Sequence, residues 1–591
     1  MTFVQLLISR TNSKGLRLIV MKKNKIYEEK KVDTFSELIN SCTKQFNNKI
    51  AFTIKDKNKE LHDITFIDFQ ENIKELGTGL INLNLNNKKI GIISPDRYEW
   101  CCSYFAIATS GNIIVPLDCL LPQNELEKLI IRSGIEAVIF DAKFQPLLEK
   151  LFSSKTTNLK YLICMDAETN SGNILSYQQL LVAGRDLLSS GDTRYDCVET
   201  DKNALSVLIY TSGTTSEPKA VMLSQYNICS NVSAMTTLIK YEENDSILVF
   251  LPLHHTLACT ASFLFCYYIG FRLCFADSIK DIAKNMKEYN ISGLVAVPAL
   301  LDIMYRQIIK GVKKSGKYIP FKILCAISNF LMFFKIDIRR KLFKEIHANF
   351  GGHLRTIIYG SASTEKKVIK LLNTIGVDML QGYGLTETSP VISCENDKYH
   401  NKIGSSGYPL YNEQVKLDNP DENGIGEILV KGPNIMLGYY ENEEATKKAF
   451  KDGWFCTGDL GRFDKSGTLY VTGRKKDVLV LHNGKKVFPE ELEAILNQLD
   501  LVEESMIYAK KEKESGTEKI CAKIVYSKDN PLVKDKTEND IHSEIEAKIK
   551  EINKTLPLYK YIRDFNLTTE PLIKTTTQKI KRHEEMKKIS K

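Results

Sequence analysis

Tyr210-Thr-Ser-Gly-Thr-Thr-Ser-Glu-Pro-Lys219 is a polar string between two apolar runs, Leu205 to Ile209 before it and Ala220 to Leu223 after it. The runs read as short buried strands and the string as the hairpin joining them. Five Ser or Thr residues surround one Gly. Hydroxyls and backbone N–H groups packed around a Gly can wrap a phosphate, and Lys219 can add a positive charge. The same string also reads as an ordinary Ser/Thr turn. It is not a P-loop, because Gly-x-x-x-x-Gly-Lys-Ser/Thr is absent and no helix pattern follows directly.

Around this string lies a long chain of ordinary make-up. With 591 residues it is too long for one core, and two to four domains are expected. Hydrophobic content of 43% and charged content of 26% suit a soluble globular protein. The net charge of +9 comes largely from local Lys runs, such as Lys581 to Lys591. These read first as solvated faces and second as attraction to acidic ligands or anionic membranes. No zinc-finger spacing or aromatic RNP-like motif points to nucleic acid. The 14 cysteines are scattered without a C-x-x-C, as expected of reduced thiols in the cytoplasm. Residues 1–20 have too short an apolar patch for a signal peptide, and 1–32 are expected to be a disordered extension.

Before the string, strand patterns alternate with helix patterns. Residues 33–50 carry Phe35, Leu38, Ile39 and Cys42 on one helical face, and Lys89 to Ile93 is a buried strand. Such alternation indicates parallel α/β layers. After the string, Ile247 to Phe271 lacks any fixed charge. Its length invites a transmembrane reading. Pro252, the pair His254-His255 and a strand-like opening favour strand, loop and buried helix. By themselves the two His residues read as helix capping or core filling. Lys313 to Phe350 mixes apolar patches with Arg339-Arg-Lys341. It reads equally as a helical pair for a membrane surface and as a protein-covered helical hairpin.

Three further strings carry chemistry. A strand ending at Tyr359 opens into Gly360-Ser-Ala-Ser363, where small residues let a flat ring approach the backbone. In Met379-Leu-Gln-Gly-Tyr-Gly-Leu-Thr-Glu-Thr388, Gly382 and Gly384 flank Tyr383, whose ring can stack on a base. Thr386 offers a hydroxyl for phosphate and Glu387 a hard oxygen for Mg²⁺. Residues 403–480 are turn-rich and β-like. They include Gly453-Trp-Phe-Cys-Thr-Gly-Asp459, whose acidic end can accept both ribose hydroxyls.

These strings, in this order, resemble the adenylate-forming superfamily: acyl-CoA synthetases, luciferases and peptide-synthetase adenylation domains. The resemblance covers roughly residues 33–585, and the insert at 313–350 makes it most like the long-chain fatty acid–CoA ligases. It implies an α/β fold: a large N-terminal domain (33–475) of layered α/β subdomains plus a β-rich subdomain, and a small mobile C-terminal lid (476–591). It also assigns residues. Thr211, Ser212, Gly213, Thr214, Thr215 and Lys219 would hold the ATP phosphates. Gly360, Ser361 and Ala362 would line the adenine, together with Gln381, Gly382, Tyr383 and Gly384. Asp459 would hold the ribose and Arg474 the nucleotide. Thr386 and Glu387 would hold phosphate and Mg²⁺. His254, His255 and Gly382 would border the fatty acid, in a pocket shaped by 253–262, 298–305, 360–362 and 382–391. Lys476 would be the hinge, and Gly484 and Lys486 would approach CoA. Lys574-Thr-Thr-Thr-Gln-Lys579 resembles the loop whose second lysine drives adenylation, which makes Lys579 the catalytic lysine; alone, the run reads as a basic tail.

Four positions depart from the family pattern: Ser216 and Ala220 stand where Gly is usual, Gln225 where His is common, and Gln578 where Gly precedes the lysine. The first three are expected to add bulk near the phosphate loop. Every charged or hydroxyl residue that the chemistry needs remains, so the expectation is an active ligase using ATP, Mg²⁺ and CoA on a fatty acid. It would be cytoplasmic or peripheral at a membrane. The alternatives are delivery to an acyl carrier protein, a luciferase-like oxidoreductase, and a non-catalytic nucleotide- or membrane-binding protein.

Overall fold

Parallel strands cannot be joined by tight turns, so the alternating first half must send its crossovers through longer connections, most of them helices. The computed structural model has this form. It describes residues 26–589 except 155, 212–217, 243, 361–363, 397–401, 482–484, 512–517, 531, 535 and 576–579, with backbone alone at 480, 486, 511 and 518. The first sheet has eight strands, in the spatial order Gly438–Tyr439, Lys219–Ser224, Leu205–Thr211, Ile113–Pro116, Lys89–Ile93, Ala137–Phe140, Tyr161–Cys164 and Ile174–Ser176. From Leu205–Thr211 onward the neighbours run parallel, whereas Lys219–Ser224 folds back antiparallel on Leu205–Thr211. The polar string therefore joins a hairpin at one side of a parallel sheet, with Thr211 opposite Lys219.

A second sheet of nine strands runs from Tyr408–Pro409 through Val391–Cys394, Asp378–Gly384, Thr356–Tyr359, Gly293–Ala296, Ser246–Val249, Arg272–Phe275 and Ile50–Lys55 to Leu61–Thr65. One apolar cluster unites the two sheets, taking in Ile90 and Val207 of the first and Phe52 and Leu273 of the second. Between them lies the helix Tyr98–Thr109, on which every residue except Glu99 is buried. Its Phe105 meets Phe35 and Phe263 edge-on, and Trp100 stacks on Tyr104. Geometry of this kind adds to plain area burial. The helix Phe35–Phe46 buries Phe35, Leu38, Ile39 and Cys42, as the periodicity predicts. The uncharged stretch after 247 forms a strand, a loop and a buried helix: Ser246–Val249, then Ala258–Leu264 with π-type turns, then Phe265–Tyr268. No helix among the described residues is long and apolar enough to cross a membrane.

A small antiparallel sheet follows, built from Gln414–Asp418, Gly426–Lys431, Trp454–Phe463, Phe450–Lys451 and Leu469–Arg474. Beyond residue 476, three strands pair as Glu504–Lys511, Glu518–Val525 and Ile562–Thr568, the last pair parallel. Helices Pro489–Leu496, Glu538–Lys554 and Arg582–Ile589 complete this part. It has its own apolar cluster, with Leu492, Ile507, Ile524 and Ile545 at its centre.

Three expectations are corrected. Residues 26–32 are not a free extension: Ile26 and Tyr27 donate backbone bonds to the Thr237 carbonyl, and Val32 is buried with its N–H on Ser233. The run after 581 is not a solvated face throughout. Arg582 donates to both Glu493 oxygens, and the fully buried Glu585 accepts from Lys523 at 2.7 Å. Gln225 does not crowd the hairpin turn, because its buried side chain accepts from the Phe35 N–H at 2.9 Å and anchors the start of that helix.

Candidate active site

Loops leave a parallel sheet at the carboxyl ends of its strands, and ligands bind in the crevice there. Several of the expected residues lie at such ends: Thr211, Gly360, and Gln381 to Gly384 with Thr386 and Glu387 just beyond. Thr211 closes its strand, with its hydroxyl 3.3 Å from the Lys219 carbonyl. Lys219 extends over the ring of Tyr439, its ammonium 4.6 Å from the centroid. The Tyr439 hydroxyl donates to Glu387 Oε1 at 2.8 Å. Burial, followed by the Glu387 charge, pushes the Tyr439 hydroxyl well above its ordinary range, so it stays protonated and remains a donor. One tyrosine thus holds the hairpin lysine on its face and the candidate metal carboxylate at its tip. The Glu387 carbonyl also accepts from the Met436 N–H, which ties the Thr386–Thr388 turn to the segment carrying Tyr439. No sequence signal marked Tyr439; only spatial pairing of Gly438–Tyr439 with Val221 and Met222 brings it there.

The nucleotide-side residues form a second knot. Asp459 stands opposite Arg474 across two paired strands, with Arg474 Nε 3.0 Å from Asp459 Oδ1. Tyr383 donates its hydroxyl to Asp459 Oδ2 at 2.9 Å. Asp459 is 4% exposed, so both carboxylate oxygens are satisfied inside the fold. The structure gives Tyr383 a hydroxyl that fixes the aspartate and a ring packed against the cluster of Ile392, Val415 and Ile428. Gly384 and Gly360 are required by close approach, whereas a Cβ on Gly382 would meet nothing nearer than 3.9 Å. A Cβ on Gly384 would fall 1.7 Å from the Pro390 carbonyl oxygen, and one on Gly360 would fall 2.9 Å from that of Gly382.

Gln381 binds the sheet through its N–H, which donates to Glu395 Oε2, and its side chain accepts from the Tyr359 hydroxyl. Burial pushes the Glu395 carboxyl up from 4.5 to about 7, against the opposing bonds from Gln381 and Ser405. A raised carboxyl pKa favours the folded state below 4.5, and that share of stability is lost as pH rises through 7. Wild-type Tm is therefore expected to fall more than that of Glu395→Gln between about pH 5 and about pH 8. Parallel Tm profiles would remove Glu395 from the account.

His254 and His255 lie together, ring centroids 4.1 Å apart, with His254 Nε2 3.3 Å from Asp118 Oδ1. Beside them Asp96 accepts from the Leu253 N–H, and burial raises its carboxyl to about 6. Lys476 is exposed, with charged groups gathered around it. Desolvation lowers its pKa, Arg474 and Lys219 push the same way, and Asp477 and Asp459 oppose them. The backbone of Lys486 pairs with Val480. Ser212, Gly213, Thr214, Thr215, Ser361, Ala362, Gly484, Gln578 and Lys579 lie outside the described residues. The base of the Lys579 loop is described: Lys574 bonds Glu504, the Ile573 N–H bonds Glu585, and Lys574 and Ile580 pair across it.

The arrangement brings together a lysine ammonium and a carboxylate at one tyrosine, and a buried carboxylate held by an arginine and a second tyrosine. Residues 40–440 match the AMP-binding enzyme family, and residues 476–590 match its C-terminal domain. The chain belongs to the AMP-binding enzyme family. Curated relatives of this AMP-binding enzyme include fatty acyl-CoA synthetase B of Dictyostelium discoideum, 29% identical over 81% of this chain and 75% of that protein. The long-chain-fatty-acid–CoA ligase FadD15 of Mycobacterium bovis is 28% identical over 88% and 90%. An Arabidopsis thaliana long-chain-fatty-acid–[acyl-carrier-protein] ligase, AEE15, is 26% identical over 77% and 71%. Among solved structures, the anthranilate CoA ligase AuaEII in complex with anthranoyl-AMP superposes with a TM-score of 0.73. It is 20% identical and covers 95% of this chain and 97% of that one. That likeness establishes the adenylate-forming α/β fold, with a large N-terminal part and a small C-terminal part.

Proposed function

We propose that this AMP-binding enzyme activates a long-chain fatty acid in two steps at one site, giving acyl-CoA, AMP and pyrophosphate. The observation that carries the reading is the convergence of Lys219 and Glu387 on Tyr439, beside the Asp459–Arg474 pair. A carboxylate repels nucleophiles and lacks a leaving group. Its oxygen attacks the α-phosphorus of ATP, the bridging P–O bond breaks, and pyrophosphate departs. The CoA thiolate then attacks the acyl carbon, and AMP leaves with the C–O bond electrons.

Charge on the phosphates must be offset during the first step. In this reading Thr211 to Thr215 and Lys219 hold the β- and γ-phosphates, and Thr386 bonds the phosphate chain. Gly360 to Ala362 and Gln381 to Gly384 line the adenine, Asp459 accepts the ribose hydroxyls and Arg474 contacts the nucleotide. His254, His255 and Gly382 border the carboxylate and chain of the acid. Lys579 bridges the carboxylate and the α-phosphate. Glu387 suits Mg²⁺, since a carboxylate accepting one hydrogen bond can still ligate a hard cation. Such a cation would neutralise phosphate charge when bound. Rotation at Lys476 would withdraw Lys579 and bring Gly484 and Lys486 toward CoA. Fourteen free cysteines suit the reducing cytoplasm as the place of action.

The test is pyrophosphate release across fatty acids from acetate to stearate, with CoA, with an acyl carrier protein, or with neither. Release that peaks at long chains and turns over only with CoA is the expected result. Turnover on the carrier protein alone would establish the second reading, the activity named for the Arabidopsis relative. No release with any acid would refute both.

A further inference from the structure

The insert at 313–350 divides into a long helix, Tyr318–Phe333, and two short ones, Arg339–Leu342 and Lys344–Asn349. The long helix is docked by one side only. Phe321 and Ser328 are buried on it; Phe321 meets Phe343 edge-on, and the Ser328 hydroxyl donates to the Thr374 carbonyl. The opposite side is apolar and bare. Ile319, Ile323, Ile327, Phe330, Phe333 and Phe334 are all exposed, Phe333 to 81% and Ile319 to 72%. At 100° per residue they occupy an arc of roughly 120°, with Phe321 and Ser328 diametrically behind it. No other part of the described surface gathers large apolar side chains so densely. A contiguous patch of this kind marks an interaction surface.

Charge decides what covers it. Between 303 and 336 there are seven Lys or Arg residues and no Asp or Glu. Lys322 borders the apolar arc on the helix itself. Lys313, Lys314 and Lys317 precede the helix, Lys335 follows it, and all are exposed. Of these, Lys317 shares the exposed Glu345 at 3.2 Å. An apolar stripe rimmed by cations on a helix too short to span matches the interface of a bilayer carrying anionic headgroups. A protein groove would instead favour mixed charge at the rim.

We propose that the face Ile319–Phe334 docks this enzyme on anionic phospholipid membranes, with the aromatic end of the helix in the acyl boundary and the lysines among the phosphates. The docking does not depend on the chemistry of the nucleotide site. Its test reads binding, so its failure and the failure of the ligase reading are separable.

Flotation with phosphatidylcholine vesicles, and with vesicles containing about 30 mol% phosphatidylserine, measures it. The full chain is expected to float with the anionic vesicles, and less so as salt rises from roughly 0.1 to roughly 0.5 M. Phe330→Glu with Phe333→Glu should lower the partition coefficient at least about tenfold. Since both side chains face solvent, Tm and pyrophosphate release with a water-soluble acid should stay at wild-type values. Lys313→Glu, Lys314→Glu and Lys322→Glu together should abolish the preference for anionic lipid. Flotation equal for wild type and the double Phe variant would overturn the proposal. So would absence of flotation, including the case where the wild type elutes as a dimer that the Phe variant splits, since a second copy would then cover the face.

Discussion

Glu387→Gln is expected to lower acid-dependent pyrophosphate release by about 10² to 10³-fold, the usual scale for removing one group that offsets charge in a transition state. Gln preserves shape and can still accept from the Tyr439 hydroxyl, so the loss isolates the carboxylate charge. Tyr439→Phe should behave differently. It removes one bond to a charged group, worth about 1.5–3 kcal/mol, and leaves the ring under Lys219. On the proposed assignment Tyr439 acts through Glu387 and Lys219, as a positioning residue. Its signature should be a raised Mg²⁺ requirement with the rate largely restored at saturating metal. A titration across Mg²⁺ concentrations, with release followed for both variants, checks this. If Glu387→Gln keeps the wild-type rate and metal dependence, the metal assignment fails.

Lys579→Ala should lose acyl-adenylate formation by about 10² to 10³-fold yet keep thioester formation from a pre-made acyl-adenylate. The split follows from the proposed division of labour, in which the lysine serves only the first step. The loop's base is held in several ways. Glu504 takes the Leu572 N–H and the Lys574 ammonium, Glu585 takes the Ile573 N–H and the Lys523 ammonium, and Arg582 grips Glu493. Equal loss of both half-reactions in Lys579→Ala would mean that the substitution damages the lid as a whole. Equal retention would return the run to a basic tail.

What could be read from the chain was what is local. The hairpin at 210–219 follows from two apolar runs around a polar turn, and the buried face of Phe35–Phe46 from a 3.6-residue period. Asp459 and Glu387 were legible as residue types. Their partners were not. Tyr383 lies 76 positions from Asp459, and Tyr439 lies 52 from Glu387. Tyr439 sits on a two-residue strand with no pattern of its own, placed by pairing with Val221. The strand Ile562–Thr568 carries little signal of its own, because Arg563, Asp564 and Asn566 break its alternation, and it takes its register from Glu518–Val525. Composition misled at the carboxyl end. Arg582 and Glu585 look like members of a charged tail, yet both are consumed by buried ion pairs. Gln225 looked like a defect of the phosphate hairpin and is a helix anchor.

The crowding at Lys476 has a consequence for how the two parts of the chain communicate. Its exposed ammonium feels Lys219 and Arg474 on one side against Asp459 and Asp477 on the other. Positive charge is in excess there, and it is contributed by the large domain and by the hinge together. On the proposed reaction, a bound polyphosphate would offset that excess in the hinge arrangement that gathers these charges, and its departure as pyrophosphate would end that gain. By linkage, whatever factor the phosphates lend to one lid position, that lid position returns to the affinity for the phosphates. On the proposed two-step reaction, the leaving group of the first step would also be the release signal for the second.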